Sequence, residues 1–211
     1  LAGVLARKGL KIAIIDPAGA DDLEQPRDDC REIALTRLSR ELLEQWRQWQ
    51  LLPDTDYAPL VEAQVFDGAS ERPMQIQSRN GLDPLGWMVS NQALRRVAYA
   101  AAKDLDGIAW HLSRRMNRID INEDAARVEL DDGSCITARL AIAADSRFSS
   151  ARRAAGLSAR MHDFGRTRLV CRMQLQKPVP GVAWEWLDYG QTLALLPLNA
   201  DMASVVITLP P

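Results

Sequence analysis

Hydrophobic positions change period several times along this chain, and each change marks an element. Residues 1–9 carry apolar side chains at helical spacing and end in glycine, the body and stop of a helix. Leu10-Lys-Ile-Ala-Ile-Ile-Asp16-Pro17 is an apolar run closed by an acid and a proline, which predicts a strand. After a polar loop containing Pro26, Leu35, Leu38, Leu42, Leu43, Trp46 and Trp49 recur at helical intervals and predict one amphipathic helix with a core-facing stripe. Between Val61 and Val89 short alternating runs are broken by Gly68, Pro73, Asn80-Gly81 and Pro84, the pattern of small antiparallel strands. Ser90 then caps a second helix, whose stripe of Leu94, Val97, Ala98, Ala101 and Leu105 runs to Gly107.

A strand from Ile108 precedes a hairpin in which Val128 and Leu130 turn through Asp131-Asp132-Gly133 into Ile136. Leu140-Ala-Ile-Ala-Ala144 is continuously apolar and stops at Asp145, which predicts a strand buried on both faces, as in a parallel sheet. A Ser-led, Arg-rich helix follows and ends near Gly156. Residues 169–173, 182–187, 192–198 and 203–209 read as successive strands of an antiparallel sheet, separated by Pro178, Gly190 and Asn199-Ala-Asp201, with Pro210-Pro211 after the last. The expected organisation is an α/β domain made of residues 1–60 and 86–160, interrupted and followed by a β-rich part made of residues 61–85 and 161–211.

Helix, strand, acid is the order of the second half of a βαβ unit. In a dinucleotide-binding unit the acid after the second strand bonds the adenosine ribose hydroxyls, and Asp16 occupies that position. An Asp that merely starts a turn gives the same pattern. Binding sites in parallel sheets lie beyond the carboxyl ends of the strands, which is the level of Asp145.

Composition narrows the class. With 211 residues, 47% hydrophobic and 26% charged, the chain can bury a core of one large or two small domains. A formal charge of -2 with both signs scattered lacks the clustered Lys and Arg that nucleic acid requires. No apolar run approaches the roughly 18 residues of a membrane span, no export leader is visible, and the cytoplasm is the expected compartment. Cys30, Cys135 and Cys171 are far apart and without Cys-x-x-Cys spacing, so they read as three ordinary buried thiols, and two histidines do not suggest a metal site.

Five segments taken in order carry a resemblance. Asp16, then Arg31-Glu-Ile-Ala-Leu35-Thr-Arg-Leu-Ser39, then Leu85-Gly-Trp-Met-Val-Ser-Asn91-Gln-Ala-Leu94-Arg, then Ala144-Asp145-Ser-Arg-Phe-Ser-Ser-Ala-Arg152, then Leu193-Ala-Leu-Leu-Pro197-Leu resemble the single-component flavin aromatic hydroxylases. Among these class A flavoprotein monooxygenases the ubiquinone-biosynthesis hydroxylases are the nearest match. Met161-His162-Asp-Phe-Gly-Arg-Thr and Tyr189-Gly-Gln-Thr-Leu-Ala resemble the subgroup that acts on demethoxyubiquinol rings.

The resemblance implies a truncated Rossmann-like FAD/NAD(P)-binding domain with an antiparallel substrate sheet. It implies that Asp16 binds the FAD ribose, that Arg31 lies against the phosphates, that Asn91 touches the flavin side, and that Asp145 serves both FAD and the nicotinamide cofactor. From the residues alone, Arg31 reads equally as a solvated arginine after an acidic loop and Asn91 as a helix-start residue. Ser146 stands where the family has glycine, and its Cβ disfavours the positive φ a glycine would allow. The implied chemistry is reduction of FAD by NAD(P)H, use of O2, and transfer of one hydroxyl to a prenylated phenol or quinol. No catalytic acid or base is assigned; His162 is the one candidate to assist a phenol and reads first as a packed or surface histidine. The Trp184-Glu-Trp186 pair would line the substrate side. The family's Gly-x-Gly-x-x-Gly turn would precede Leu1 and its later Gly-Asp motif would follow Pro211, so this chain alone is expected to bind FAD weakly and to be inactive. Two rival readings are a flavin enzyme of another aromatic substrate and a non-catalytic interaction module. A prenyl tail would bring transient contact with a membrane surface or partner enzymes.

Overall fold

The computed structural model describes residues 1–78, 83–188, 190–199 and 201–210. The predicted break at Asn80-Gly81, Tyr189, the centre of the predicted 199–201 turn and Pro211 lie outside them. The chain forms two compact units, Leu1–Leu23 with Ala102–His162 and Glu24–Ala101 with Asp163–Pro211.

In the first unit, helix α1 (Ala2–Ala6) leads to strand β1 (Ile12–Asp16) through Gly9, whose φ of 82° supplies the left-handed stop the sequence suggested. A short helix α2 (Ala20–Glu24) follows, beginning in this unit. β1 pairs in parallel with β7 (Ile108–Leu112), with Ile12 opposite Ile108 and Asp16 opposite Leu112. An antiparallel sheet of β8 (Met116–Ile121), β9 (Ala126–Leu130) and β10 (Cys135–Ala138) has β9 at its centre. Ala126, Val128 and Leu130 alternate into its buried face, and Gly133 takes the positive φ of 82° that the predicted turn needs. The unit closes with α5 (Ser150–Ala154).

The apolar run before Asp145 departs from expectation. Residues 140–144 are not a strand and are not buried, with Leu140 73% and Ile142 56% exposed. A buried strand needs neighbours to take its N–H and C=O groups, and no described strand pairs with this run.

In the second unit, β2 (Glu32–Thr36) leads into α3 (Arg37–Gln45). β3 (Tyr57–Leu60), β4 (Glu62–Asp67), β5 (Met74–Gln77) and β6 (Gly86–Ser90) come next, then α4 (Asn91–Ala100) and finally β11 (Thr167–Gln174), β12 (Val182–Asp188), β13 (Gln191–Pro197) and β14 (Met202–Leu209). The strands form a three-stranded antiparallel sheet, β2-β6-β3, and a six-stranded one in the order β11-β14-β13-β12-β4-β5. The last four strands fall where the alternating pattern put them. β4 and β5 extend their sheet, β4 running parallel to β12 with Phe66 opposite Trp186.

The predicted helix from Leu35 to Trp49 is three elements instead of one. Leu35 lies in β2 opposite Trp87 of β6. Thr36 is extended and caps α3, its Oγ1 accepting the Ser39 N–H at 3.2 Å. The helix ends at Gln45, and Trp49 begins a 3-10 turn (Trp49–Leu51) after Arg47, whose φ is 58°. Helical spacing misled because a strand residue and a turn residue reach the same core as the helix between them. That core is Trp49, Leu52, Trp87, Val89, Ala93 and Val97, with Leu35, Leu43, Tyr57 and Leu94 against it. The Arg40 guanidinium lies over the Trp49 and Trp87 rings at 4.7 and 4.4 Å, so its charge covers aromatic surface rather than water alone. α4 starts where predicted, with Ser90 Oγ accepting the Ala93 N–H at 3.4 Å.

Residues 24–60 and 86–101, expected with the α/β domain, thus sit with the sheet-rich unit. Long-range bonds hold them there. Val61 N–H donates to Gly181 O at 2.7 Å, and Arg172 of β11 pairs with Asp28 and Glu32. The cysteines are free, yet Cys135 and Cys171 are exposed and Cys30 half-buried, against the expectation of burial. Cys135 and Cys171 lie on strands at the edges of their sheets, where no further described strand covers them.

Candidate functional site

The four predicted site residues divide evenly between the units. Asp16 and Asp145 belong to the first, Arg31 and Asn91 to the second.

Asp16 is half-buried at the carboxyl end of β1. Its Oδ1 accepts the Ala18 N–H at 2.8 Å and its carbonyl accepts Arg114 N–H at 3.2 Å. This is the turn-forming use of an aspartate, and it leaves Oδ2 open to a second donor.

Asp145 is wrapped by the helix it precedes. Ser149 donates its hydroxyl to Oδ1, while Ser150 Oγ and Ala151 N–H reach Oδ2 at 3.1 and 3.0 Å. Partial burial opposes ionisation, but these donors outweigh it and hold the carboxyl down to about 2. Ser149 is also the N-cap of α5, its Oγ accepting Arg152 N–H at 2.9 Å. Asp145 therefore organises its own loop. Ser146 has φ 76°, a left-handed backbone that a side chain disfavours and glycine adopts freely.

Arg31 and Asn91 meet on one carboxylate, a feature the sequence reading missed. Asp29 Oδ2 accepts Arg31 Nε at 2.8 Å and Asn91 Nδ2 at 2.8 Å, and Arg31 Nη2 lies 2.6 Å from it. Asp29 Oδ1 takes the Arg31 backbone N–H at 3.2 Å, and Asn91 N–H donates to Arg31 O at 2.9 Å. Burial works against the charge of Asp29, but the bonds from Arg31 and Asn91 prevail and its carboxyl lies below the usual range. The neighbouring Glu32 goes the other way: burial pushes it up despite Arg172, because its side chain is only 3% exposed. The signal for Asp29 was present in Asp28-Asp29-Cys30-Arg31, since an aspartate two residues before a backbone N–H readily closes a turn.

His162 is exposed. Trp184 and Trp186 share one face of β12 at 5.6 Å, edge to face, and Trp186 stacks on Phe66 at 5.2 Å. Beside Trp184 an apolar cleft is lined by Leu175, Val179, Val182, Leu195 and Met202.

No protein-family model matches the chain. Individual relatives do. Ubiquinone hydroxylase UbiM of Neisseria meningitidis is 38% identical over 98% of this chain and 46% of its own length. Along almost its whole length the chain is similar to a ubiquinone hydroxylase. Ubiquinone hydroxylase UbiL of Rhodospirillum rubrum is 28% identical over 99% of the chain, and 3-demethoxyubiquinol 3-hydroxylase of Escherichia coli is 23% identical over 96%. The chain spans about half the length of these curated relatives. Among solved structures, PqsL, a probable FAD-dependent monooxygenase from Pseudomonas aeruginosa, superimposes with a TM-score of 0.81 at 18% identity, over 99% of this chain and 56% of that one. HpxO of Klebsiella pneumoniae, solved with FAD and uric acid, gives 0.70 at 18% identity. The chain thus has the α/β fold of FAD-dependent monooxygenases, and no described helix is long and apolar enough to cross a membrane.

Proposed function

We propose that this chain is the part of an FAD-dependent monooxygenase that holds one side of the cofactor and contributes to the substrate sheet, the whole enzyme hydroxylating a phenolic or quinol ring of ubiquinone biosynthesis. The observation that carries the reading is the 38% identity to a ubiquinone hydroxylase along 98% of the chain.

Taken one by one, these residues suit different parts of a flavin dinucleotide. Arg31 has a side chain 61% exposed, and Asp29 engages its Nε and Nη2, so Nη1 remains for a phosphate oxygen. Asn91 opens α4 with a carboxamide for the flavin side. Asp16 offers a free carboxylate oxygen to a ribose hydroxyl, and Asp145 holds the turn into α5 in one shape. When bound, FAD supplies the chemistry, taking electrons from NAD(P)H and using O2 as the source of the ring oxygen. The chain's own residues bind and orient: Arg31 neutralises phosphate, and the Trp184, Trp186 and Phe66 face offers an apolar wall that keeps water from the ring. A prenylated substrate would also bring the enzyme to the surface of the inner membrane from the cytoplasm.

The test uses the complete gene product with FAD, NAD(P)H, O2 and a short-chain demethoxyubiquinol. The reading expects a quinol one oxygen heavier, formed in step with NAD(P)H oxidation. NAD(P)H oxidation that yields only peroxide, with no hydroxylated ring, would overturn it.

A further inference from the structure

Arg31 and Asn91 reach their positions through a third side chain. Three donors, Arg31 Nε, Arg31 Nη2 and Asn91 Nδ2, converge on the single oxygen Asp29 Oδ2 at 2.8, 2.6 and 2.8 Å. Asn91 lies 62 residues from Asp29 along the chain, so this oxygen ties the loop before β2 to the first residue of α4.

The loop that carries Asp29 is itself pinned. Arg172 of β11 reaches Glu32 Oε1 through Nε at 2.8 Å and Nη2 at 2.7 Å, and Asp28 Oδ2 through Nη1 at 2.6 Å. Asp28 Oδ1 accepts Cys30 N–H at 2.9 Å. Between Asp29 and Arg31, Cys30 keeps φ 55°, a left-handed backbone that a side chain disfavours and that persists only where its surroundings fix it. Arg172 holds one flank of this bend and Asp29 binds the other.

We infer that Asp29 is a positioning residue: its carboxylate holds the Arg31 guanidinium and the Asn91 carboxamide in the orientation in which they meet an anionic dinucleotide. The inference rests on the proposed reading of Arg31 and Asn91 as cofactor contacts. Its physical basis is preorganisation, because long polar side chains that are already fixed lose less rotamer freedom when the ligand arrives.

The experiment compares FAD affinity, by flavin fluorescence, in the complete gene product carrying Asp29→Asn, Arg31→Ala, Asn91→Ala, the two alanine substitutions together, or all three. Asp29→Asn keeps the shape but removes the charge and should weaken FAD about tenfold, the scale of one charge-assisted hydrogen bond. That effect should vanish when Arg31 and Asn91 are already alanine, whereas a merely structural role would persist there. Equal or tighter binding by Asp29→Asn, with Arg31→Ala still weakened, would overturn the inference alone. Unchanged affinity in Arg31→Ala and Asn91→Ala would overturn the cofactor reading itself, and the role of Asp29 with it. Should Asp29→Asn fail to fold, the unaltered protein answers by NMR: the Arg31 Nε–H and Asn91 side-chain amide signals should shift together as Asp29 is protonated. Signals that stay fixed or shift independently would contradict the shared carboxylate.

Discussion

Two aspartates, Asp145 and Asp29, each gather several donors, and they do so on different scales. The partners of Asp145 are Ser149, Ser150 and Ala151, all within six residues. Those around Asp29 and its neighbour Asp28 include Asn91, 62 residues away, and Arg172, 144 residues from Asp28. The first junction is a local device that forms with its own helix, even though the apolar run before it is exposed. The second exists only once the β2-β6-β3 sheet and the edge strand β11 are assembled. A local cap can therefore be read from sequence, while a corner built across the fold cannot.

The contrast predicts unequal responses to substitution. Trp87→Ala empties the second unit's core and should cost about 3–5 kcal/mol in denaturant unfolding, whereas Leu140→Ala, at 73% exposure, should fall within about 0.5 kcal/mol. A large loss at Leu140 would break the comparison, since it would place that run inside a core. Arg172→Ala leaves Glu32 almost fully buried without its cation and should cost about 2–3 kcal/mol. Adding Glu32→Gln should recover part of the loss, and no recovery would show that the pair does not hold the loop.

Ser149→Ala removes the α5 cap and should cost about 1 kcal/mol without disturbing the Asn91 side-chain amide signal. Acid titration separates the two regions by sign. Asp145 has its folded-state value lowered from 3.8 to about 2, so its stabilisation is complete above pH 4 and is lost as pH falls through 2. Glu32 is raised from 4.5, so its contribution is largest below that value and declines as pH rises through its folded-state value. Asp145→Asn should therefore flatten the acid limb of an unfolding series, and Glu32→Gln should not. A small gain is expected at Ser146, where glycine should relieve the positive φ and stabilise by about 0.5 kcal/mol after its own entropy cost.

Much of the fold was legible because its signals are short-range. The alternating runs of 167–209, the Asp131-Asp132-Gly133 turn, the Ser90 cap and the Gly9 stop each depend on neighbours a few residues apart. Leu35 and Trp49 were misplaced because spacing records which side chains point inward, not whether a helix, strand or turn delivers them. The run before Asp145 was misread for a related reason: apolar composition reports a capacity for burial, and burial needs a partner strand. Arg31 and Asn91 were named by resemblance, but the oxygen that unites them belongs to Asp29, and that junction is long-range.

The central claim, that the corner formed by Arg31 and Asn91 holds FAD, is tested most directly by the FAD dissociation constant of the complete gene product with and without Arg31→Ala. Loss of a charge-assisted phosphate contact predicts affinity weaker by about tenfold to a hundredfold, with an unchanged melting temperature. Undiminished affinity in the variant would contradict the account.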